Sequence, residues 1–219
     1  MRVLLVIDAQ NDFISGSLAV PGAKEIIPVI DSLMKQGSYD AIVFSQDWHP
    51  ADHGSFASQH PGKKPFDNGM LGGKPQVMWP DHCVQGTWGA EFAAGLDLSL
   101  VTHIQQKGLD KAVDSYSAFR DNDAKKLTGL DAYLKKLGAT EVDICGLATD
   151  FCDKFSALDA TALLPGVKVN FIEDASRGIS PASTRAAISE MQTAGINIMT
   201  SAQRLATPPR FQDKRGFKP

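Results

Sequence analysis

The chain has 219 residues, of which 43% are hydrophobic and 21% are charged, and its formal net charge is -3. This composition is typical of a globular protein with one sizeable core, so we expect a single domain over residues 1–219. The sequence has no basic stripe, which argues against binding to nucleic acid. It also has no apolar run of roughly 18 residues, the length of a membrane span, which argues against insertion into a membrane.

Apolar runs and amphipathic segments alternate along the chain, which is typical of repeated β-α-β units. In chain order the predicted elements are a strand at 3–7, a helix at 23–36, strands at 41–44 and 101–106, a helix at 123–137, a strand at 142–145, a helix at 150–164, a strand at 167–172, a helix opened by Ser180 and Pro181 and closed by Gly195, and a strand at 196–199. This order predicts an α/β fold with a parallel sheet covered by helices on both faces. Ligands of such sheets bind at the carboxyl ends of the strands.

A segment at about 46–97 differs from this pattern, because it is rich in Gly, Pro and His and shows little periodicity. A loop of this length inside a compact domain is usually functional or disordered. Its aromatic residues, which include Trp48 and Trp79, favour order. The polar and basic tail from Thr207 is expected to extend over the surface.

Three strand ends carry side chains that could perform chemistry. Asp8 follows the first strand, Lys107 ends the third, and Cys152 lies just past the fourth, near the start of a helix. Backbone N–H groups and the helix dipole at such a start favour a thiolate and could hold an oxyanion. Alone, each residue has a structural interpretation as a turn residue, a solvated lysine or a packed thiol. Together, a base, a cation and a thiol at one rim predict an activated nucleophile.

The other two cysteines, Cys83 and Cys145, are predicted to be structural. The odd number of cysteines and the lack of a C-x-x-C motif argue against a disulfide framework and indicate a reducing compartment. The N-terminal apolar patch is too short for a signal peptide. We therefore expect a cytoplasmic protein.

The long segment also carries a candidate metal site. Asp47, His49 and His53 lie within seven residues, and His82 follows in "WPDHCVQGTWG". Aspartate and histidine at alternate positions of an extended segment point to the same side. Imidazole and carboxylate ligands suit Zn, Fe or Mn. The alternative is that these histidines pack against aromatic rings without a metal.

Five motifs, in the same order along nearly the whole chain, resemble those of the nicotinamidases in the isochorismatase-like hydrolase family. They are "IDAQNDF", "SQDWHPADHGSFASQHPG", "WPDHCVQGTWGAEF", "KGLDKAVDSYSAF" and "GLATDFCDKFSALDA". The resemblance implies a three-layer α/β/α sandwich around a six-stranded parallel sheet.

The resemblance also implies roles for individual residues. Asp8 matches the family's base, Lys107 its catalytic lysine and Cys152 its nucleophile. The N–H groups of Ala148 and Cys152 match the oxyanion hole, beside a cis peptide between Leu147 and Ala148. The remaining matches are Phe13, Trp79 and Tyr116 as walls of the ring pocket and Asp47, His49 and His82 as metal ligands, with His53 as a further candidate.

The implied reaction is hydrolysis of nicotinamide, and of pyrazinamide, through a cysteine thioester. The implied cofactor is one divalent ion, with zinc placed first and iron or manganese as alternatives; a homo-oligomer is left open. Three other interpretations are retained: a metal-free amidase of the family acting on another small amide, a metallohydrolase whose metal-bound hydroxide attacks while Cys152 is passive, and a non-catalytic binding protein.

Asp153 departs from the family, because relatives often carry an apolar residue directly after the nucleophile. An acid facing the site would raise the pKa of the thiol, and we expect Asp153 to point elsewhere.

Overall fold

A computed structural model describes residues 1–206, so the predicted surface extension from Thr207 lies outside the described residues. The helices and strands, in chain order, are β1 (Arg2–Ile7), α1 (Asn11–Ile14), α2 (Ala23–Gln36), β2 (Ala41–Asp47), β3 (Asn68–Leu71), β4 (Lys74–Val77), β5 (His103–Lys107), α3 (Leu130–Leu137), β6 (Glu141–Leu147), a π-helical turn (Thr149–Asp153), α4 (Lys154–Leu163), β7 (Lys168–Arg177), α5 (Pro181–Thr193), β8 (Asn197–Met199) and α6 (Ser201–Leu205).

The main sheet has six strands in the order β5-β2-β1-β6-β7-β8, and every neighbouring pair is parallel. The order reverses at β1, where the chain first builds outwards through β2 and β5 and later through β6, β7 and β8. A crevice at the carboxyl ends of the strands is expected at such a point. The predicted six-stranded parallel sheet is confirmed.

Two apolar layers cover the sheet, one on each face. Leu4 and Val6 of β1 pack with α2 on one face, whereas Val3, Leu5 and Ile7 pack with α3, α4 and α5 on the other. All five side chains are fully buried, and burying a side chain of this size contributes about 1.5 to 3 kcal/mol. The alternation explains the continuous apolar run in the sequence and confirms the α/β/α sandwich.

The predicted helix at 123–137 is too long at its start, because α3 begins at Leu130. The residues before it form a small antiparallel connection instead, in which Arg120 pairs with Leu127 and the N–H of Asp121 donates to the carbonyl of Lys126 at 3.1 Å. Gly129, with φ 96°, separates this connection from the helix. A left-handed residue of this kind interrupts a helix and favours glycine.

The long segment is ordered and contains elements that its sequence did not predict. β2 extends to Asp47, so the segment begins inside a strand. β3 and β4 form an antiparallel hairpin, and short 3₁₀ turns occur at Ala57–Gln59 and Trp88–Ala90. The hairpin has glycines at its turn, Gly72 and Gly73, both with positive φ. No helix within residues 1–206 combines the length and apolar character needed to cross a membrane.

A buried ionic network holds the amino-terminal edge of the sheet, opposite the strand ends that carry the candidate chemistry. Arg204 on α6 lies between two carboxylates of β6, with its Nη2 atom 3.0 Å from Glu141 Oε1 and 2.8 Å from Asp143 Oδ1. Arg2 Nε donates to the other oxygen of Glu141 at 3.0 Å, and Asn170 on β7 donates to both carboxylates. Burial alone would raise the pKa of Glu141, but these hydrogen bonds outweigh it and lower the pKa to about 2.

We expect Arg204→Gln to destabilise the protein by about 3 to 5 kcal/mol, because removing one partner of a buried ion pair leaves the others uncompensated. Urea unfolding followed by circular dichroism measures the change. Arg185→Gln, an exposed arginine on α5, is the matched control and should change stability by less than about 0.5 kcal/mol. A loss as small as the control's would show that the network does not support the fold.

Candidate active site

The carboxyl ends of four adjacent strands bring polar side chains to one rim of the sheet. Asp8 follows β1, Asp47 ends β2, Lys107 ends β5, and Cys152 lies in the turn after β6. These strands are neighbours in the sheet. All four side chains are buried, with at most 7% of their surface exposed. The rim that the sequence predicted therefore does bring Asp8, Lys107 and Cys152 together.

Asp8 adopts a left-handed backbone conformation, with φ 46°, directly after its strand. Its carboxylate accepts a hydrogen bond from Ser45 Oγ at 2.6 Å, and its N–H donates to the same hydroxyl at 3.1 Å. Burial raises the pKa of Asp8 to about 6, against the opposing effect of Lys107. A carboxylate with such a pKa can accept a proton near neutral pH.

Lys107 is the central contact of the site. Its Nζ atom lies 2.9 Å from Asp8 Oδ2, 2.5 Å from Asp47 Oδ1 and 3.5 Å from Cys152 Sγ, and it donates to the carbonyl of Ser115 at 2.9 Å. Burial opposes a charge on Lys107, but Asp47 and Asp8 outweigh it and raise the pKa well above its usual value. Lys107 is therefore a fixed cation.

Cys152 lies in the π-helical turn between β6 and α4. The helix start favours a thiolate, as the sequence indicated, but burial of the side chain acts in the opposite direction. Burial raises the pKa of the thiol well above its usual value, and the opposing effect of Lys107 does not offset it. Cys152 is therefore a thiol at rest and needs a base to lose its proton.

The peptide bond between Leu147 and Ala148 is cis, as the family resemblance implies. The carbonyl of Ala148 accepts hydrogen bonds from the N–H groups of Phe151 at 2.9 Å and Asp153 at 3.2 Å, which closes the turn around Cys152. Gly146, two residues earlier, has φ 135°, and a Cβ there would lie 2.1 Å from the carbonyl oxygen of Ile7. Only glycine allows β6 to lie this close to β1 at that point.

Asp47, His49 and His82 form a compact set of buried donors. His49 Nε2 and His82 Nε2 lie 3.6 Å and 3.8 Å from Asp47 Oδ2. Their ligand atoms all lie within 4.8 Å of one another, a spacing that allows them to hold one ion. The alternate spacing of Asp47 and His49 does make their side chains converge. His82 reaches them because the backbone around His49 pairs with the segment that follows His82.

Backbone carbonyls orient both imidazoles of this set. His49 Nδ1 lies 2.9 Å from the carbonyl oxygen of Gly108, and His82 Nδ1 lies 2.8 Å from that of Pro80. With Nδ1–H donating in this way, each Nε2 lone pair is left for a cation. Burial, followed by the effect of His49, lowers the pKa of His82 to about 4, so this imidazole is neutral. The residues present therefore fit a divalent metal.

Gly108 determines where the His49 ring lies. A Cβ at this position, which has φ 67°, would lie 2.3 Å from His49 Cε1 and 2.5 Å from His49 Nδ1. Any side chain here would displace the ring, so the absence of a Cβ is a geometric requirement of the donor set.

His53 lies beside this set, with its ring centroid 4.2 Å from that of His49. Its Nδ1 atom pairs with Ser55 Oγ at 2.7 Å, while its buried Nε2 atom has no hydrogen-bond partner among residues 1–206. His49, His53 and Asp114 form a second group of donors within 4.8 Å. An unpaired, buried ring nitrogen at this place fits a bound cation or its ligand shell.

A cavity lies between Cys152 and the candidate metal donors Asp47 and His82, which all line it. Its lining contains all three predicted wall residues, Phe13, Trp79 and Tyr116, together with Phe151. Trp79 makes edge-to-face contacts with Tyr116 and Phe151, with centroid distances of 6.3 Å and 5.1 Å. The cavity therefore presents aromatic walls between two polar ends.

Several residues that shape the site were not identified from the sequence. Gln10 exchanges hydrogen bonds with the backbone of Asp47, accepting from its N–H and donating to its carbonyl at 2.8 Å each. Gln76 on the hairpin donates to Asp114 Oδ2 at 2.7 Å and fixes that carboxylate in the cavity wall. Gln10 lies in the motif "IDAQNDF" and Asp114 in "KGLDKAVDSYSAF", so these motifs could have identified both residues. Gln76 lies in the hairpin, outside the five motifs, and no sequence signal identifies it.

Cys83 and Cys145 are buried and pack in the apolar layer between α2 and the sheet. Neither lines the cavity that contains Cys152. Burial raises the pKa of both thiols well above the usual value. Their predicted structural role agrees with this packing.

Comparison with known proteins supplies the family. A model of the isochorismatase domain matches residues 2–203. The nicotinamidase of Escherichia coli K12 is 45% identical over 206 residues, which make up 92% of this chain and 95% of that protein. Among solved structures, a nicotinamidase/pyrazinamidase of Acinetobacter baumannii is 44% identical with a TM-score of 0.87, covering 92% of this chain and 97% of that one. A pyrazinamidase of Pyrococcus horikoshii in complex with zinc is 33% identical with a TM-score of 0.72, covering 91% and 98%. The chain therefore belongs to the isochorismatase family and groups with its nicotinamidases.

Proposed function

We propose that this protein is an amidohydrolase that converts nicotinamide to nicotinate and ammonia and also accepts pyrazinamide. One observation carries the proposal: Lys107 contacts both Asp8, beside the thiol, and Asp47, in the donor set. A cavity with a nucleophile at one end and cation ligands at the other suits a small ring that bears an amide and a ring nitrogen. The similarity to nicotinamidases over 92% of the chain supports the same substrate.

Asp8 is proposed to move the proton. Because burial keeps Cys152 as a thiol, the reaction begins when Asp8 accepts the Sγ proton and the thiolate attacks the amide carbon. Asp8 then gives that proton to the departing ammonia, which leaves a thioester on Cys152. Water attacks the thioester and gives a proton to Asp8, the bond between Sγ and the acyl carbon breaks, and Asp8 returns the proton to the Cys152 thiolate. The acid product loses its own proton to water and leaves as nicotinate.

Charge stabilisation is assigned to Lys107 and to backbone N–H groups. Lys107 remains a cation beside both Asp8 and Cys152, so it stabilises the thiolate while Asp8 carries the proton. The N–H groups of Ala148 and Cys152 are proposed to hold the oxyanion that forms on the amide oxygen. Donors fixed in a buried site perform this role without reorganisation.

Asp47, His49 and His82 would hold the metal, and His53 lies where it could complete the ligand shell. When bound, the divalent ion supplies a Lewis-acidic contact for the ring nitrogen, which orients the amide toward Cys152. Zinc is proposed first, because these ligand types suit it and a similar pyrazinamidase was solved with zinc. Phe13, Trp79 and Tyr116 are proposed to enclose the ring.

The competing interpretations are less well supported. A metal-free amidase would have no use for three buried donors whose ligand atoms lie within 4.8 Å. A binding protein would have no use for a buried thiol in contact with an ammonium group and a carboxylate whose pKa is about 6.

Replacing the nucleophile should abolish turnover. We expect Cys152→Ala to retain the fold but to lose activity by several orders of magnitude, because no other thiol lines the cavity. Ammonia release from nicotinamide measures the loss, and iodoacetamide should inactivate the unmodified protein unless substrate is present. Cys145→Ala, which removes a buried thiol outside the cavity, is the control and should remain active. More than about 10% activity in Cys152→Ala would rule out the thioester mechanism.

Replacing the base should slow turnover without slowing alkylation of the thiol. Asp8→Asn keeps the shape of the side chain but cannot accept the proton, so we expect kcat/KM to fall at least about a hundredfold. The rate of Cys152 alkylation at neutral pH should not fall with it, because the charge of Asp8 raises the pKa of the thiol and its removal favours the thiolate. If kcat were unchanged and only KM rose, Asp8 would be a substrate-binding residue instead.

Removing the metal should affect substrates unequally. Nicotinamide has a ring nitrogen and benzamide does not, so metal depletion or His49→Ala should greatly lower kcat/KM for nicotinamide and leave the already low value for benzamide nearly unchanged. The control is His103→Ala, a half-buried histidine at the start of β5, which should affect neither. Equal losses on both substrates would mean that the ion contributes to the attack itself, and would exclude a purely positioning role.

A further inference from the structure

Asp12, on α1, carries a half-buried carboxylate to which the proposed function gives no role. It directly precedes Phe13, a wall of the cavity. Its two oxygens accept hydrogen bonds from backbone groups, one from the N–H of Cys83 at 2.7 Å and the other from the N–H of Ser17 at 3.1 Å. The bond to Cys83 spans 71 positions, so it joins α1 to the segment that carries His82.

The backbone on both sides of His82 is bonded to this region. On one side, the carbonyl of Asp81 accepts from Ser17 Oγ at 2.6 Å. On the other side, the N–H of Cys83 donates to Asp12. Because Ser17 also donates its own N–H to Asp12, one carboxylate supports both bonds, the first through Ser17 and the second directly. The position of the His82 backbone therefore depends on Asp12.

His49 is joined to the same point through Cys83. The carbonyl of Cys83 accepts from the N–H of His49 at 3.1 Å, so the two peptide groups of one buried residue contact Asp12 and His49. Cys83 has a left-handed backbone conformation, with φ 48°, which is uncommon for a residue with a Cβ. Such a conformation persists where the surrounding bonds impose it. The backbone of Cys83 thus connects Asp12 to both histidines.

Two glycines make room for the carboxylate. A Cβ at Gly89 would lie 2.0 Å from Asp12 Oδ2, and a Cβ at Gly16 would lie 2.2 Å from Asp12 Oδ1. Neither glycine has a positive φ, so the space that Asp12 occupies, rather than the backbone conformation, excludes a side chain at these positions. The chain is therefore shaped to receive a carboxylate where the N–H of Cys83 needs an acceptor.

We propose that Asp12 is a positioning residue that fixes the separation of His49 and His82 and thereby sets the affinity of the donor set for a divalent ion. Asp12 does not line the cavity; it acts through the backbone of Cys83. Without it, the two imidazoles would have to be brought together when the ion binds, at a cost in affinity. The role of the ion rests on the proposed function, whereas the bonds from Asp12 toward the two histidines do not.

Hydrogen exchange of the full-length protein, prepared without metal, tests these bonds independently of the reaction. In Asp12→Ala the amide protons of Cys83 and His49 should exchange at least about tenfold faster than in the wild type, because the segment opens more readily. Unchanged exchange at Cys83 would overturn the proposal.

Asp174→Ala is the matched control. Asp174 is a half-buried carboxylate on β7 that accepts from the N–H and the hydroxyl of Ser201 at 2.6 Å each, and it belongs neither to the cavity lining nor to the donor set. Its removal should leave exchange at Cys83 and His49 as in the wild type. Equal acceleration in Asp12→Ala and Asp174→Ala would indicate general loosening, and would also overturn the positioning role.

Competition for zinc against a chromophoric chelator tests the consequence for the donor set. Asp12→Ala should raise the dissociation constant for zinc by about 10- to 100-fold, the usual range for groups that orient metal ligands, whereas Asp174→Ala should leave it unchanged. Wild-type affinity in Asp12→Ala would overturn this inference alone. A wild type that binds no zinc would overturn it together with the ion of the proposed function, so the two failures are distinguishable.

Gly89→Ala moves the carboxylate instead of removing it, because the added methyl group overlaps Asp12 Oδ2. It should weaken zinc binding about as much as Asp12→Ala. In the double variant the methyl group occupies the space that the carboxylate has left, so the loss should be no larger than in Asp12→Ala alone. Losses that multiply would show that Gly89 acts independently, and would contradict the assignment. Asp12→Asn, which keeps one acceptor oxygen for the N–H of Cys83, provides the measurement if the alanine variant folds poorly; it should lose less affinity than Gly89→Ala, and an equal or larger loss would count against the proposal.

Discussion

The site depends on one buried ammonium group held between two carboxylates. Lys107 lies 2.9 Å from Asp8 and 2.5 Å from Asp47, and none of the three side chains has more than 4% of its surface exposed. Burying any one of these charges alone would be very unfavourable. Because Asp8 lies beside Cys152 and Asp47 lies beside His49 and His82, the same cation fixes the distance between these two parts of the site.

The parallel sheet places these three charged groups side by side, because the strands that carry them end at the same edge. Asp47 and Lys107 are directly paired in the register of β2 and β5, and Asp8 follows the adjacent strand. Strand ends are rigid supports, so the three charged groups need no loop to bring them together. The long segment after β2 then adds the histidines and the aromatic walls, which require adaptable backbone. The amino-terminal edge carries a separate buried network around Arg204, so stability and chemistry are located at opposite edges.

The sequence predicts the sheet and most of the site because both leave local signals. A continuous apolar run marks β1, and a polar residue just after it marks Asp8 at the rim. The start of α3 was misplaced because an amphipathic pattern continues through a segment that Gly129 separates from the helix. Gln76 left no signal, because its contact with Asp114 spans 38 positions. For Cys152 the sequence shows only the local influence, a helix start that favours a thiolate, whereas the opposing influence of burial is a property of the whole fold.

Gly108 illustrates how a site can depend on a residue that performs no chemistry. It offers no polar side chain, yet a single methyl group there would lie within 2.5 Å of the His49 ring. In a complete substitution scan, any replacement at position 108 would disturb the His49 ring about as directly as a substitution of His49 itself. A search of the sequence for polar or nucleophilic side chains would not select a glycine such as Gly108. The cause of any loss there would be crowding of the ring rather than removal of a chemical group.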